Sequence, residues 1–174
     1  MNLKYCTNCG SELVESLLPT EERVRHYCPS CGHVHYVNPK VVCGTLPVED
    51  GKVWLLRRGI EPRLGFWTHP AGFMEIDETA EEGAKRETHE ELGCVVRIEG
   101  LLGVYSRPFA PVNVVYLTSL SPEGGRPTTT AEALEVRAFA PPEIPWDELA
   151  FLSTHAALLD WITRSVENDK SRKR

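Results

Sequence analysis

A chain of 174 residues holds one core of ordinary size with a small module to spare, and it is too short for a barrel enzyme plus a partner domain. With 41% hydrophobic and 25% charged residues it has globular composition, not that of a disordered tail. Its 19 basic side chains against 25 acidic ones leave a net charge of −6, which argues against affinity driven by neutralising a phosphate backbone.

The first feature along the chain is a pair of knuckles, Cys6-Thr-Asn-Cys9-Gly10 and Cys28-Pro-Ser-Cys31-Gly32. A two-residue gap lets both thiolates of a pair reach one ion, and the following Gly lets the backbone curl round the sulfur. Four sulfurs close a tetrahedron, so the spacing predicts a structural Zn²⁺ site in a zinc ribbon over residues 1–37. The alternatives are two disulfides or a rubredoxin-like iron site. His26, His33 and His35 are then ordinary strand residues rather than ligands. Over residues 1–40, Lys4, Arg23, Arg25 and Lys40 balance Glu12, Glu15, Glu21 and Glu22. Without a basic excess the ribbon is not expected to bind nucleic acid. It is expected instead to brace the main domain or to complete a substrate pocket or dimer interface, and a homodimer is anticipated.

Near Asn38-Pro39 the ribbon gives way to a main domain over residues 38–168, followed by a charged tail at 169–174. Lys40–Val48 and Lys52–Arg58 flank Asp50-Gly51 and read as a hairpin. A helix is predicted over Thr79–Leu92, ending at Gly93. Val95–Tyr105, Val112–Leu120 and Glu135–Ala140 read as strands, and Ser121–Thr130, rich in Gly and Pro, as a loop. Ser153 is expected to cap a last helix with Leu158, Leu159, Ile162 and Val166 on its apolar stripe. Such a mixture predicts an α/β fold, a mixed sheet in an α/β/α sandwich. Cys43 and Cys94 stand alone in apolar settings and read as buried small hydrophobes. With no apolar leader in residues 1–10 and no run of ~18 apolar residues, a cytoplasmic protein without a membrane partner is expected.

The helix over Thr79–Leu92 carries the chemistry. At about 100° per residue, Glu87, Glu90 and Glu91 share one face with Ala80, Gly83 and Ala84, while Glu81, Glu82, Lys85 and His89 cluster opposite. Small residues mark the packing side, so three carboxylates continue it, and their like charges cost the helix a few tenths of a kcal/mol per pair. Arg86 is the one cation among them. The alternative is a solvated acidic face; the economical answer is a divalent cation, and an all-oxygen cluster suits Mg²⁺ or Mn²⁺.

Gly72, Glu78 and Arg86-Glu87-Thr88-His89-Glu90-Glu91-Leu92-Gly93-Cys94 resemble the Nudix box, G-x5-E-x7-R-E-U-x-E-E-x-G-U, with U a bulky apolar residue. Every fixed residue is present at its spacing; Thr88 and Cys94 depart mildly at the U positions. Upstream, Gly65-Phe66-Trp67-Thr68-His69-Pro70-Ala71-Gly72 resembles the family's G-x-W-x-L-P-G-G approach, with His69 in place of Leu, read as a packing substitution. With the ribbon, Tyr36–Lys40 and the segments at 132–139 and 143–151, the chain is similar to zinc-ribbon Nudix hydrolases, including plant plastid FAD and ADP-ribose pyrophosphatases. Ribbon-bearing NADH pyrophosphatases carry S-Q-P-W-P-F-P-x-S, and here Tyr105-Ser-Arg-Pro-Phe-Ala-Pro111 lacks its Gln-Pro-Trp core, which makes NADH the runner-up.

The resemblance implies an enzyme that cleaves the pyrophosphate of FAD or ADP-ribose to AMP plus FMN or ribose 5-phosphate; the other class is a non-catalytic nucleotide-sensing module. Glu87, Glu90 and Glu91 would bind Mg²⁺ or Mn²⁺, with Glu75 completing the shell. Glu78 and Arg86 would pair and fix the loop geometry. A general base would come from the metal cluster or, as in ADP-ribose hydrolases, from Glu132 or Glu135, whose alternative reading is a solvated strand entry. Trp67, Phe73 and Tyr105 would stack on a base or belong to the core, and Arg57, Arg58 and Arg107 are phosphate candidates.

Overall fold

The computed structural model describes residues 3–172, with side chains to residue 167. The chain divides into two compact units, Met1–Asn38 and Pro39–Arg174.

In the first unit three short antiparallel strands, β1 (Val14–Ser16), β2 (Arg25–Tyr27) and β3 (Val34–His35), lie in the order β1-β2-β3. Each knuckle is closed by its glycine: Gly10 N–H donates to the Cys6 carbonyl and Gly32 N–H to that of Cys28, both at 2.9 Å. Their φ values of 77° and 76° lie where a side chain is strained, which is why glycine follows each second cysteine. Only Cys6, Cys28 and His35 are buried among the described residues of this unit, so it has no apolar core of its own. His26 and His35 face each other across β2 and β3 as expected of strand residues, whereas His33 precedes β3.

The second unit is built on β4 (Val41–Glu49), β5 (Lys52–Arg58), β6 (Trp67–Thr68), β7 (Ala71–Phe73), β8 (Val96–Tyr105), β9 (Val112–Leu120) and β10 (Ala133–Phe139). The main path runs β10-β5-β4-β9-β8, with β6 against β5 and β7 against β4. Among the strands of the described residues β4 and β9 pair in parallel and the other pairs are antiparallel, so the sheet is mixed. Asp50 and Gly51, both at positive φ, join β4 to β5 in the turn that matches strand twist.

Two helices, α1 (Ala80–Leu92) and α2 (Leu152–Arg172), cover the sheet. Alternation along β4 sends Thr45 to Thr88 of α1 and Leu46 to a core shared with Ala157, Leu158 and Trp161 of α2. Leu56, Cys94, Val96 and Ala133 pack with Leu92 of α1 in a second core. The helices therefore lie on opposite faces, an α/β/α sandwich. Cys43 and Cys94 are fully buried. On β8 two bulges, at Ile98/Gly100 and Leu101/Gly103, interrupt the ladder, and Arg164 of α2 donates to the Leu101 and Leu102 carbonyls there.

Three expectations are corrected. Helix α2 starts at Leu152, so Ser153 lies inside its first turn instead of capping it. Its buried stripe is Thr154, Ala157, Leu158 and Trp161; Leu159 and Val166 are exposed, because the stripe is set by where Trp161 enters the core. The helix also continues to Arg172, through part of the anticipated tail, and residues 173 and 174 lie outside the described residues. Among the described residues no helix is long and apolar enough to cross a membrane.

Candidate active site

Helix α1 is fixed at both ends. Thr79 caps it, its hydroxyl accepting from Glu82 N–H while the Glu82 carboxylate accepts from Thr79 N–H at 2.8 Å. Gly93, at φ 63°, closes it by donating to the His89 carbonyl. Between these caps Gly83, Ala84, Thr88, Glu91 and Leu92 are buried. The helix packs against β4 and β7, and the small residues explain how closely. A Cβ on Gly83 would come within 2.7 Å of Glu78 Oε1, and one on Gly72 of β7 would collide with the Glu87 carboxylate. Those two glycines are cradles for carboxylates.

Arg86 spends all five of its N–H donors. Nε and Nη2 grip Glu78 at 3.0 and 2.7 Å, Nη1 reaches Glu87 at 2.6 Å and Glu90 at 3.0 Å, and Nη2 also donates to the Phe73 carbonyl at 3.1 Å. The pairing with Glu78 is thus one part of a wider fork. Hydrogen bonds from Arg86, then the Glu75 N–H, hold Glu78 down at about 2, while Arg86 itself is driven upward chiefly by Glu78. Glu75 enters through its backbone alone, at 2.8 Å from Glu78.

Glu91 has a different environment. Its side chain is buried against β7, Oε2 accepts from Ala71 N–H at 2.8 Å, and Oε1 takes no hydrogen bond from the described residues. Burial pushes its carboxyl up to about 8 against the pull of that N–H, and the charge of Glu87 adds to the effect. Glu87 is raised as well, by burial first, with Arg86 opposing. The charge of Glu132 adds to both shifts as their smallest cause. Glu135 lies beside Arg57, 3.8 Å away, at the far side of a register shift in β10 between Ala133 and Glu135.

The remaining candidates separate cleanly. Trp67 is core, edge-on to Phe139, and Tyr105 donates to Asp160 of α2. Phe73 is half exposed beneath Lys40 Nζ, 4.5 Å from its ring centre. Arg57 donates to the Gly65 carbonyl and Arg58 to that of Pro62, with Arg58 also stacked over Phe151; Arg107 is exposed. His69 is buried with neither ring nitrogen partnered. Backbone and small-residue contributions escaped the sequence reading: the Ala71 N–H that holds Glu91, the glycine cradles, and Thr45, whose hydroxyl meets Thr88 at 2.6 Å.

In the ribbon all four cysteines are free, and their sulfurs lie within 4.8 Å of one another, Cys6 to Cys31 at 3.7 Å and Cys9 to Cys28 at 3.5 Å. Zn–S bonds of about 2.3 Å require sulfurs about 3.8 Å apart at tetrahedral corners, so the set fits that ion. Backbone N–H groups of Ser11 and His33 lower the Cys9 and Cys31 thiols, favouring thiolates; Cys9 falls to about 6. His35 Nε2 lies 3.4 Å from Cys6 Sγ. Among the described residues this is the one cluster of three or more such ligand atoms gathered within 4.8 Å; the glutamates stand further apart around Arg86.

One helix carrying the buried Glu91, the half-buried Glu87 and the exposed Glu90 packs on a mixed sheet, and a separate unit gathers four cysteines, which defines a two-module protein with an acidic site. Residues 38–162 match the NUDIX domain model and residues 4–37 the Nudix N-terminal zinc-ribbon model, so the chain belongs to the Nudix family. It is 40% identical over 73 residues to an ADP-ribose pyrophosphatase of Methanocaldococcus jannaschii, covering 42% of this chain and 43% of that one. It is 34% identical over 96 residues to an NAD-capped RNA hydrolase of Chromobacterium violaceum, covering 54% and 34%. The chain thus spans less than half the length of either curated relative. A crystal structure of a NUDIX hydrolase from Nitrosomonas europaea superposes with a TM-score of 0.81 at 40% identity, covering 90% of this chain and 88% of that one.

Proposed function

We propose that this chain is a divalent-metal-dependent pyrophosphatase acting on nucleoside diphosphate derivatives, with ADP-ribose and FAD as preferred substrates. Water adds to one phosphorus, the bridging P–O bond breaks, and the products are AMP with ribose 5-phosphate or FMN. The observation that carries this reading is the buried Glu91, one helical turn from the half-buried Glu87, while Arg86 is committed to Glu78, Glu87 and Glu90. Like charges gathered in a half-buried space, with an oxygen of Glu91 left without a hydrogen bond, are suited to a hard cation.

Glu87, Glu90 and Glu91 would hold Mg²⁺ or Mn²⁺, with Glu75 as a further donor. Bound there, the ion would neutralise phosphate oxygens and make a water more acidic. Glu78 and Arg86 keep the loop before α1 on the helix, so the Phe73 carbonyl and the Gly72 cradle hold their positions. Glu132 is the candidate base that takes the proton of the attacking water at its carboxylate. Glu135, committed to Arg57, is the weaker candidate of the two. The ribbon cysteines Cys6, Cys9, Cys28 and Cys31 would hold a structural Zn²⁺.

The test is AMP release from ADP-ribose, FAD, NADH and an NAD-capped RNA, with Mg²⁺ and Mn²⁺ in turn. ADP-ribose and FAD share an adenosine diphosphate half, so both should be cleaved, with NADH poorer in kcat/KM. NADH or capped RNA preferred by tenfold or more would overturn the substrate assignment. No hydrolysis of any of them would favour the nucleotide-sensing module.

A further inference from the structure

The loop between β9 and β10 is fastened to the C-terminal end of α1. Carbonyls in the last turn of a helix lack intrahelical partners and must find others. Here Thr128 N–H donates to the Leu92 carbonyl at 2.9 Å, and the Thr130 hydroxyl donates to the Glu91 carbonyl at 3.3 Å. Gly93 makes the approach possible, since a Cβ there would meet Thr128 Cγ2 at 3.0 Å. The same Thr130 oxygen accepts from Glu132 N–H at 3.3 Å. One hydroxyl therefore joins the backbone of Glu91 to the backbone of Glu132. From the other side Gly59 N–H donates to the Glu132 carbonyl at 2.7 Å, and a Cβ on Gly59 would press on that carbonyl at 3.0 Å.

We infer that Thr130 is a positioning residue: its hydroxyl sets the separation between the Glu132 carboxylate and the glutamates of α1. The inference rests on the reading of Glu132 as the base. Neither Thr130 nor its loop matches any part of the box, and the hydroxyl touches no carboxylate itself. Its effect passes through two backbone groups. Gly59 holds one end of the Glu132 peptide against β5; without Thr130 the other end is free to pivot, and the base is displaced relative to a water that α1 helps to hold.

Steady-state hydrolysis of ADP-ribose with Mg²⁺ by the full chain tests this, with T130V, T130S, E132Q and the double variant T130V/E132Q. Misplacing a reacting group by a fraction of an ångström should lower kcat of T130V about tenfold. KM should stay within about twofold, because substrate binding is untouched. T130S keeps the hydroxyl and should retain kcat within about threefold, and the double variant should be no slower than E132Q, since both changes act through one group. The inference is overturned if T130V turns over like the wild type, if T130S is as slow as T130V, or if the T130V loss multiplies onto that of E132Q. Wild-type turnover by E132Q would overturn the assignment of the base, and the inference with it. Thermal melting of each variant separates a folding defect, and T130A replaces T130V should valine prevent folding.

Discussion

Burial shifts His69 and Glu91 in opposite directions, each towards its neutral form. His69 is pushed down to about 4 by burial alone, and Glu91 up to about 8 by burial against its one N–H donor. For His69 the native state binds fewer protons than the unfolded chain between pH 6.5 and 4. Its contribution to stability is therefore intact above pH 6.5 and lost as pH falls towards 4, by about 3 kcal/mol in all at 1.36 kcal/mol per unit. His69→Leu, which restores the residue expected at this place in the Nudix pattern, should remove that term and also two unpartnered buried nitrogens. Urea unfolding at pH 7.5, 6 and 5 should show its advantage over the wild type growing as pH falls; a constant gap would mean His69 is partnered in solution. Glu91 shows the opposite sign. Its ionisation destabilises the fold as pH rises from 4.5 through 8, so Glu91→Gln without metal should melt higher than the wild type, with a gap that widens up to pH 8.5. The same variant should lose about 10²-fold or more in turnover, because the charge is what a cation needs. Near-normal activity would return Glu91 to the role of a packed acid.

At the scale of elements, the buried hydroxyl pair between β4 and α1 decides how firmly the carboxylate helix is held. Thr88 donates to the Ala84 carbonyl at 2.6 Å, which leaves the Thr45 hydroxyl to donate to Thr88. Thr88→Val orphans Thr45, whose side chain is fully buried, and should cost about 1–3 kcal/mol. Thr45→Val leaves Thr88 bonded and should cost about 1 kcal/mol, and the double valine should cost less than the sum of the two. Urea unfolding of the four proteins checks the cycle, and strict additivity would dissolve the pair. Helix α1 is readable from its length, its Gly stop and its small-residue stripe, and the structure adds the Thr79–Glu82 capping box that sets its first residue at Ala80. What could not be read depends on contacts between distant segments. Thr88 is an odd residue in its pattern until Thr45 is seen opposite it. Strands β6 and β7 are two and three residues long, too short for any period, although they carry the Ala71 N–H and the Gly72 cradle. Glu132 and Glu135 look equivalent in a row of residues; the register shift between Ala133 and Glu135 in β10 separates them. The stripe of α2 does not follow from its leucines alone, because Trp161, not Leu159, enters the core.

At the scale of the whole molecule, the two units are stabilised by different physics. Residues 39–172 bury two apolar clusters against a mixed sheet, whereas the described residues of the first unit bury only Cys6, Cys28 and His35. A unit of about 38 residues cannot offset its chain entropy without a core. Four thiolates on a Zn²⁺ would supply an apparent ~10–16 kcal/mol at neutral pH, enough to replace one. The second unit, with two apolar clusters of its own, is expected to fold without such an ion. Metal analysis of the purified protein should therefore find one zinc per chain. Iron in its place would move the ribbon to the rubredoxin-like alternative, and neither metal with both cysteine pairs oxidised would refute the site. A zinc-selective chelator should then collapse amide protection in residues 3–38 and leave that of β4, β5, β9 and α1 intact. With Mg²⁺ in excess, the stripped protein should still release AMP from ADP-ribose, because the glutamates of α1 and Glu132 belong to the unit that stays folded. Loss of protection in both units on zinc removal, with turnover lost in step, would show that the ribbon's fold and the site's chemistry are coupled.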